Sequence, residues 1–320
     1  MTLKIAPELL DTNVFAMLRN TNRLINGDMR IDQRYSGGSA VVTSSSPYIV
    51  DRWTAGMSGA NGTAQRVASG LLGIPFALQI TGASGTTTAW IGQKIEAANA
   101  AQLVGQRITL SFYLSSSNQT SVAVNLKSAN AADNFSSTTL VEAQSVTVSS
   151  TLTRYIVTFN TTMPAAVANG LYVEIVSAGN LSTGNMILTG VQLESGLYAA
   201  PFEPRHFAAE LALCQRYFEK SGVTALGGTW SANNGEAAGM SHATGNFRMS
   251  IPFRVVKRVA PTFTTFDRTG TAARCSYYVA AWTDGGTLPV ASAIASGAYV
   301  GHNIASSVET QFSWVSEAEL

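Results

Sequence analysis

Between about Leu24 and Glu203, one short run after another places an apolar residue at every second position. A half-buried pleated strand has that period and a helix does not. Ile108, Leu110, Phe112 and Leu114 alternate with Thr109, Ser111 and Tyr113, which are expected to point outward. Val122, Val124 and Leu126 alternate in the next run, and Arg154–Phe159, Leu171–Val176 and Met186–Leu193 follow in the same style. Clusters such as Ser115-Ser116-Ser117-Asn118 and Ser177-Ala178-Gly179-Asn180 separate the runs. Short strands at this spacing predict an all-β sandwich or barrel rather than βαβ units. Thr and Val fit a half-buried pleat because they are β-branched, so Thr rather than Lys or Glu supplies the wet face.

The texture changes at Pro204. Phe207, Leu211, Cys214 and Phe218 follow at spacings of four, three and four, which predicts one helical seam within a connecting helix at 205–222. Pro204 opens it, and Lys220 and Gly222 close it. Two heptads also fit a coiled coil, whereas a helix packed on a sheet edge needs no second copy. Beyond Gly222 alternation returns at Ile251, Phe253 and Val255, at Phe263 and Thr265, and at Val308, Phe312 and Trp314. Gly227-Gly228, Asn233-Asn234-Gly235 and Asp284-Gly285-Gly286 read as turns. At the other end, Leu10, Val14 and Met17 form a short helical stripe after Pro7. So short a helix is marginal in water and must lie against something. The expected organisation is a short N-terminal helix at 1–22, a β-sandwich at 23–204, the connecting helix, and a smaller C-terminal β domain at 223–320.

Composition narrows the function. Only 12% of the residues are charged, and Lys+Arg 20 against Asp+Glu 19 leaves a net charge of +1. A typical soluble protein carries about 25% charged residues. A surface built to neutralise nucleic-acid phosphates is therefore not expected, and 46% hydrophobic residues exclude a disordered chain. Cys214 and Cys275 are too few for a disulfide framework and read as buried thiols. Met1–Pro7 lacks an apolar signal core. The uncharged stretches Val67–Gln93 and Gly285–Val308 are broken by Gly, Ser, Thr and Pro, so no membrane insertion is expected.

Catalytic constellations are missing from the sequence. His206, His242 and His302 are scattered, and there is no HExxH, GxSxG or GxxxxGK[ST] pattern. None of the acids of the first β domain sits in an aromatic and polar cluster that would mark a substrate groove. No catalytic residue, metal or cofactor is expected. Aromatic residues remain as functional material, because sugar C–H faces stack on Trp and Tyr while hydroxyls bond neutral or acidic groups. Trp53 and Trp314 read as core. Trp230 and Trp282 lie beside Gly-rich turns, near Asn233, Asn234 and Asp284. Tyr277 and Tyr278 must face opposite ways on a strand, which exposes one of them. The candidate receptor-binding set is Trp230, Asn233, Asn234, Tyr278, Trp282 and Asp284.

Three stretches carry a resemblance. They are Asn26-Gly27-Asp28-Met29-Arg30-Ile31-Asp32-Gln33-Arg34 with Asp51-Arg52-Trp53; Val191-Gln192-Leu193-Glu194-Ser195-Gly196 with Pro201-Phe202-Glu203-Pro204-Arg205; and Glu210-Leu211-Ala212-Leu213-Cys214-Gln215-Arg216-Tyr217-Phe218. In this order, and with the ending Trp314-Val315-Ser316-Glu317-Ala318-Glu319-Leu320, the chain resembles tail fibre or receptor-binding proteins of tailed bacteriophages. The likeness runs from about residue 24 to 320. It implies a jelly roll resembling carbohydrate-binding modules, a CQRY-type helix and a terminal β domain. It also implies a non-enzymatic virion protein of the tail, made in the host bacterial cytoplasm. The implied partners are other copies of the chain in a homotrimer, further tail or baseplate proteins, and a host surface glycan. Gln33, Arg34, Trp53, Glu194 and Glu203 read as architecture. Leu10, Val14 and Met17 would attach the chain to the particle, and the seam of Phe207, Leu211, Cys214 and Phe218 would meet its symmetry mates. Only about twenty residues precede the sandwich, so a short fibre, or a subunit fixed directly to the tail or head, is expected. Two other readings compete: a structural virion subunit that binds no receptor, and a glycan depolymerase. The latter is disfavoured by the absence of repetitive β-helix rungs.

Overall fold

The computed structural model describes residues 22–222, 237–240, 246–278, 280–288, 290–303 and 308–320. Leu10, Val14 and Met17, and likewise Trp230, Asn233 and Asn234, lie outside the described residues. The chain divides into two units. The first holds residues 22–30, Ser39–His206 and Leu320; the second holds Ile31–Gly38 and Phe207–Glu319.

In the first unit twelve strands follow one another: β1 Ala40–Val42, β2 Tyr48–Val50, β3 Trp53–Ser58, β4 Gly62–Leu71, β5 Ile74–Thr81, β6 Thr88–Ile95, β7 Ile108–Ser116, β8 Ser121–Ala131, β9 Asn134–Thr147, β10 Thr153–Thr158, β11 Leu171–Ser177 and β12 Asn185–Ser195. They form two six-stranded sheets, ordered β1-β4-β5-β12-β7-β10 and β2-β3-β6-β11-β8-β9. Every pairing is antiparallel, and the chain passes repeatedly from one sheet to the other. Leu110, Phe112 and Leu114 of β7 and Val122, Val124 and Leu126 of β8 are fully buried. Two sheets that each bury one apolar face within one unit stack those faces together, which makes a β-sandwich. One expectation fails on β7. Thr109 and Ser111 are also fully buried, because the chain leaving β12 crosses their face. The Thr109 hydroxyl donates to the Gly196 carbonyl at 2.8 Å, and Arg154 reaches both Ser111 Oγ and the Ala200 carbonyl.

The motif residues of the first unit stitch its opening to its exit. Asn22 Nδ2 donates to the Val191 carbonyl at 2.9 Å, and Asn22 Oδ1 accepts from the Leu24 and Leu193 amides at 3.0 Å. The Trp53 indole donates to the Asn26 carbonyl at 2.8 Å, while Asn26 Nδ2 donates to the Asp51 carbonyl at 3.0 Å. Glu194 Oε2 accepts from the Ala200 amide, and Gln192 Oε1 from the Glu203 amide, at 3.1 and 3.2 Å. The Arg205 guanidinium donates back to the Leu24 and Asn22 carbonyls. These side chains tie the opening segment to strands of both sheets, and the polar atoms named bond backbone groups.

After Ile31–Gly38, the second unit resumes with the helix Phe207–Gln215 and continues through β13 Phe218–Lys220, β14 Ala237–Met240, β15 Asn246–Pro252, β16 Thr262–Phe266, β17 Arg274–Tyr278, β18 Trp282–Thr287, β19 Val290–Ile294, β20 Gly297–Asn303 and β21 Glu309–Glu317. β21 is the hub. It pairs with β13 and β16 along one half and with β14 and β17 along the other, and β18 extends the sheet beyond β17. A three-stranded sheet ordered β15-β20-β19 completes the unit. Phe247, Ile251, Phe263, Cys275, Leu288, Val300, Phe312 and Trp314 form its core.

Two sequence expectations are corrected here. The helical seam is not continuous, because the helix ends at Gln215 and Phe218 opens β13 opposite Glu317. Phe207 is 55% exposed, whereas Glu210, Cys214 and Gln215 are buried, so the inward face differs from the one the apolar spacing marked. Leu211 is half-buried. The boundary between the units is also not one cut at 204. Ile31–Gly38 belongs to the second unit, because Arg34 pairs with Glu317 at 3.0 Å and Glu319 at 3.1 Å and lies 3.8 Å over the Phe218 ring. Gln33 Nε2 adds a hydrogen bond of 2.9 Å to the Phe218 carbonyl.

Candidate functional site

Register across the second unit's main sheet sets one row of side chains side by side. Met240 of β14 faces Glu309 of β21, Glu309 faces Tyr278 of β17, and Tyr278 faces Trp282 of β18. Paired residues in antiparallel strands send their side chains to the same side. Core residues Cys275 and Phe312 have the opposite parity, so this row lies on the outer face. Met240 and Tyr278 are 66% and 45% exposed, and Trp282 and Glu309 are half-buried. The Tyr278 and Trp282 rings meet edge to face, with centroids 5.6 Å apart and planes at 62°. Such a pair fixes both rings and leaves π-surface toward solvent.

The next row up is polar. A β-bulge interrupts the β17–β18 register between Cys275 and Tyr277, and Gly285 takes φ +91 there. The Asp284-Gly285-Gly286 run read as a turn is therefore a kink inside β18, which Gly permits because it has no Cβ. The bulge sets Asp284 against Ser276, whose hydroxyl donates to Asp284 Oδ1 at 2.7 Å. Arg268, from the β16–β17 loop, grips the same carboxylate through Nε at 3.2 Å and a terminal nitrogen at 3.0 Å. The Arg268 amide donates to Ser276 Oγ at 2.9 Å. The Arg268 hydrogen bonds hold the Asp284 carboxyl below its ordinary range; partial burial opposes this and Ser276 adds to it. Asp284 is thus an ionised acceptor. Beside it Gln311 donates to Glu309 Oε1 at 2.7 Å, while its own buried Oε1 finds no donor among the described residues.

The structure therefore brings Tyr278, Trp282 and Asp284 together on one face, and it places Trp314 and Trp53 in the two cores. Sequence reading missed Arg268, Ser276, Glu309 and Gln311. Alternation alone puts residues 309 and 311 on one face of their strand, but nothing in the sequence pairs that strand with residues 276–278.

A second aromatic-bearing face exists in the first unit, on the β2-β3-β6-β11-β8-β9 sheet. Its groups are engaged by the protein itself. The Trp90 ring packs on Gly56 and its indole donates to Ser46 Oγ at 2.9 Å. Tyr172 is 8% exposed, and burial, with the Glu174 charge beside it, drives its phenol pKa well above the ordinary value. Lys127 pairs with Glu174 at 2.6 Å, and the Leu320 carbonyl accepts from Tyr48 OH at 3.0 Å and Lys94 Nζ at 2.6 Å. The outer face of the second unit is the more open of the two.

Among the described residues no group of His, Cys, Asp or Glu is arranged to hold a metal ion, and no helix is long and apolar enough to cross a membrane.

No family model matches the chain, and no curated protein is detectably similar to it. Among solved structures it is similar to the enzymatically active domain of tailspike protein 4 of bacteriophage CBA120, at 14% identity and a TM-score of 0.38. That match covers 55% of this chain and 22% of the solved tailspike chain, so it spans about a fifth of that chain's length. It is also similar to a putative sugar binding protein from Bacteroides thetaiotaomicron, at 15% identity over 55% of this chain and 100% of that one, with a TM-score of 0.37. A family 11 carbohydrate-binding module from Clostridium thermocellum matches at 14% identity over 51% of this chain and 99% of the module, with a TM-score of 0.32.

Proposed function

We propose that the chain is a non-enzymatic receptor-binding protein of a tailed-phage virion, a short tail fibre that attaches to host surface glycans. The observation that carries this reading is the exposed Tyr278 ring against the half-buried Trp282, beside the Arg268–Asp284–Ser276 array. Ring faces take the C–H side of a sugar, and the acceptor position left on Asp284 Oδ2 takes one of its hydroxyls. The motif resemblance drawn from the sequence supplies the phage setting. Binding is favoured over cleavage because a glycosidase needs one acid with a raised pKa as proton donor. Asp284 is shifted the other way, so it fits only the ionised member of such a pair and cannot be the proton donor. In the same reading the protein is a homotrimer in the virion tail, made in the bacterial cytoplasm. Residues 1–22 attach it to other tail or baseplate proteins, and the 223–320 region meets the cell.

The test is Trp282→Ala. A buried anchor at an interface costs about 2 kcal/mol or more when truncated, roughly thirtyfold in affinity. The variant is expected to melt within a few degrees of wild type and to adsorb poorly to host cells. A variant that melts far below wild type marks Trp282 as a packing residue. One that adsorbs normally places the receptor site elsewhere.

A further inference from the structure

We infer that the glycan taken by the Tyr278–Trp282 face is uncharged, a neutral hexose chain rather than a sialylated or uronic-acid polymer. This deepens the reading above and rests on it. The inference comes from the charges around the aromatic pair. Among the described residues Arg268 is the cation that meets the platform's polar row, and both of its bonded nitrogens are spent on Asp284, so the pair presents no net charge. Arg274 lies two positions beyond Ser276 on β17, away from Tyr278, and its guanidinium donates to the Gly285 carbonyl. Directly across from Tyr278 stands Glu309, whose carboxylate accepts from Gln311 and pairs with no cation among the described residues. Glu309 and Asp284 are both acceptors.

A surface rich in acceptors calls for a ligand rich in donors. Sugar hydroxyls answer that, and a vicinal diol can bridge both oxygens of a carboxylate. A ligand carboxylate or sulfate laid over the aromatic pair would instead sit beside Glu309, whose charge no described cation neutralises. Like charges about 5 Å apart near a protein surface lower affinity by at least tenfold. Selection here works by repulsion as much as by attraction.

The experiment is an array of neutral oligosaccharides and of sialylated or uronate oligosaccharides of matched length, read with intact wild-type protein and with Trp282→Ala and Glu309→Gln. The expected result is wild-type signal on neutral members, lost in Trp282→Ala and reduced about tenfold in Glu309→Gln, since the carboxylate acceptor is the stronger one. Strongest wild-type signal on acidic members, lost in Trp282→Ala, overturns the neutral-glycan inference and leaves the receptor site standing. Undiminished neutral binding by Glu309→Gln also overturns it. Wild-type binding that Trp282→Ala leaves intact, or silence across the array, overturns the receptor reading itself.

Discussion

Replacing Lys257 by Met removes an amine that reaches two buried acceptors in the second unit. Lys257 is fully buried at its side chain, Glu219 is 1% exposed, and the two form an ion pair. The same ammonium donates to the Gln215 carbonyl at 2.5 Å, where the helix Phe207–Gln215 ends, and lies 4.9 Å over the Phe253 ring. A cation there completes the unsatisfied carbonyl end of a helix. Burial draws the Lys257 pKa below its ordinary value, and Glu219 opposes that shift. Met fills nearly the same volume, so the loss is electrostatic. Breaking a buried pair by deleting one partner costs about 3–5 kcal/mol, because the other charge is left stranded. Arg254 stands 3.8 Å from Glu219 and is 62% exposed, so it can relieve part of that cost. The lower end, about 3 kcal/mol, is expected, which for a unit of this size is a fall in Tm of roughly 10 °C. Urea unfolding of wild type, Lys257→Met, Glu219→Leu and the double variant measures it. The double variant should regain more than half of the loss, since no stranded charge remains. A Lys257→Met protein within about 1 kcal/mol of wild type refutes the reasoning.

Gly27→Ala should destabilise the first unit by about 1–3 kcal/mol, the usual cost of forced overpacking. A Cβ built there meets the Val191 carbonyl oxygen at 2.2 Å, and calorimetry of the variant checks it. The depressed Asp284 pKa predicts an acid limb in stability. The folded state keeps this carboxylate ionised where the unfolded chain has begun to bind a proton. Its contribution is therefore complete above the unfolded-state pKa, about 3.9, and is lost as pH falls through the folded value. Unfolding free energies measured from about pH 5 to pH 2.5 should show a shallower decline in Asp284→Asn than in wild type.

Period-two alternation was enough to place strands and to say which side of many of them is dry. Ile108, Leu110, Phe112 and Leu114 are all fully buried, as their spacing requires. Alternation is a local property, set by the pleat of one strand, and so it survives in a bare sequence. It could not foresee that Gly196 and Ala200 would cover Thr109 and Ser111, because the covering segment lies more than eighty residues along the chain. The helix after Pro204 was legible, but its end was not. Phe218 continues the helical spacing, yet pairing with Glu317 draws it into a strand. The candidate site divides in the same way. Tyr278, Trp282 and Asp284 could be singled out as aromatic and polar residues beside glycines. Their assembly with Arg268, Ser276 and Glu309 depended on a β-bulge and on the register of β21 against β17. Register is decided by long-range pairing energies and turn geometry, not by any residue's neighbours in sequence. The sequence therefore determined which residues could act, and the tertiary pairing decided which of them meet.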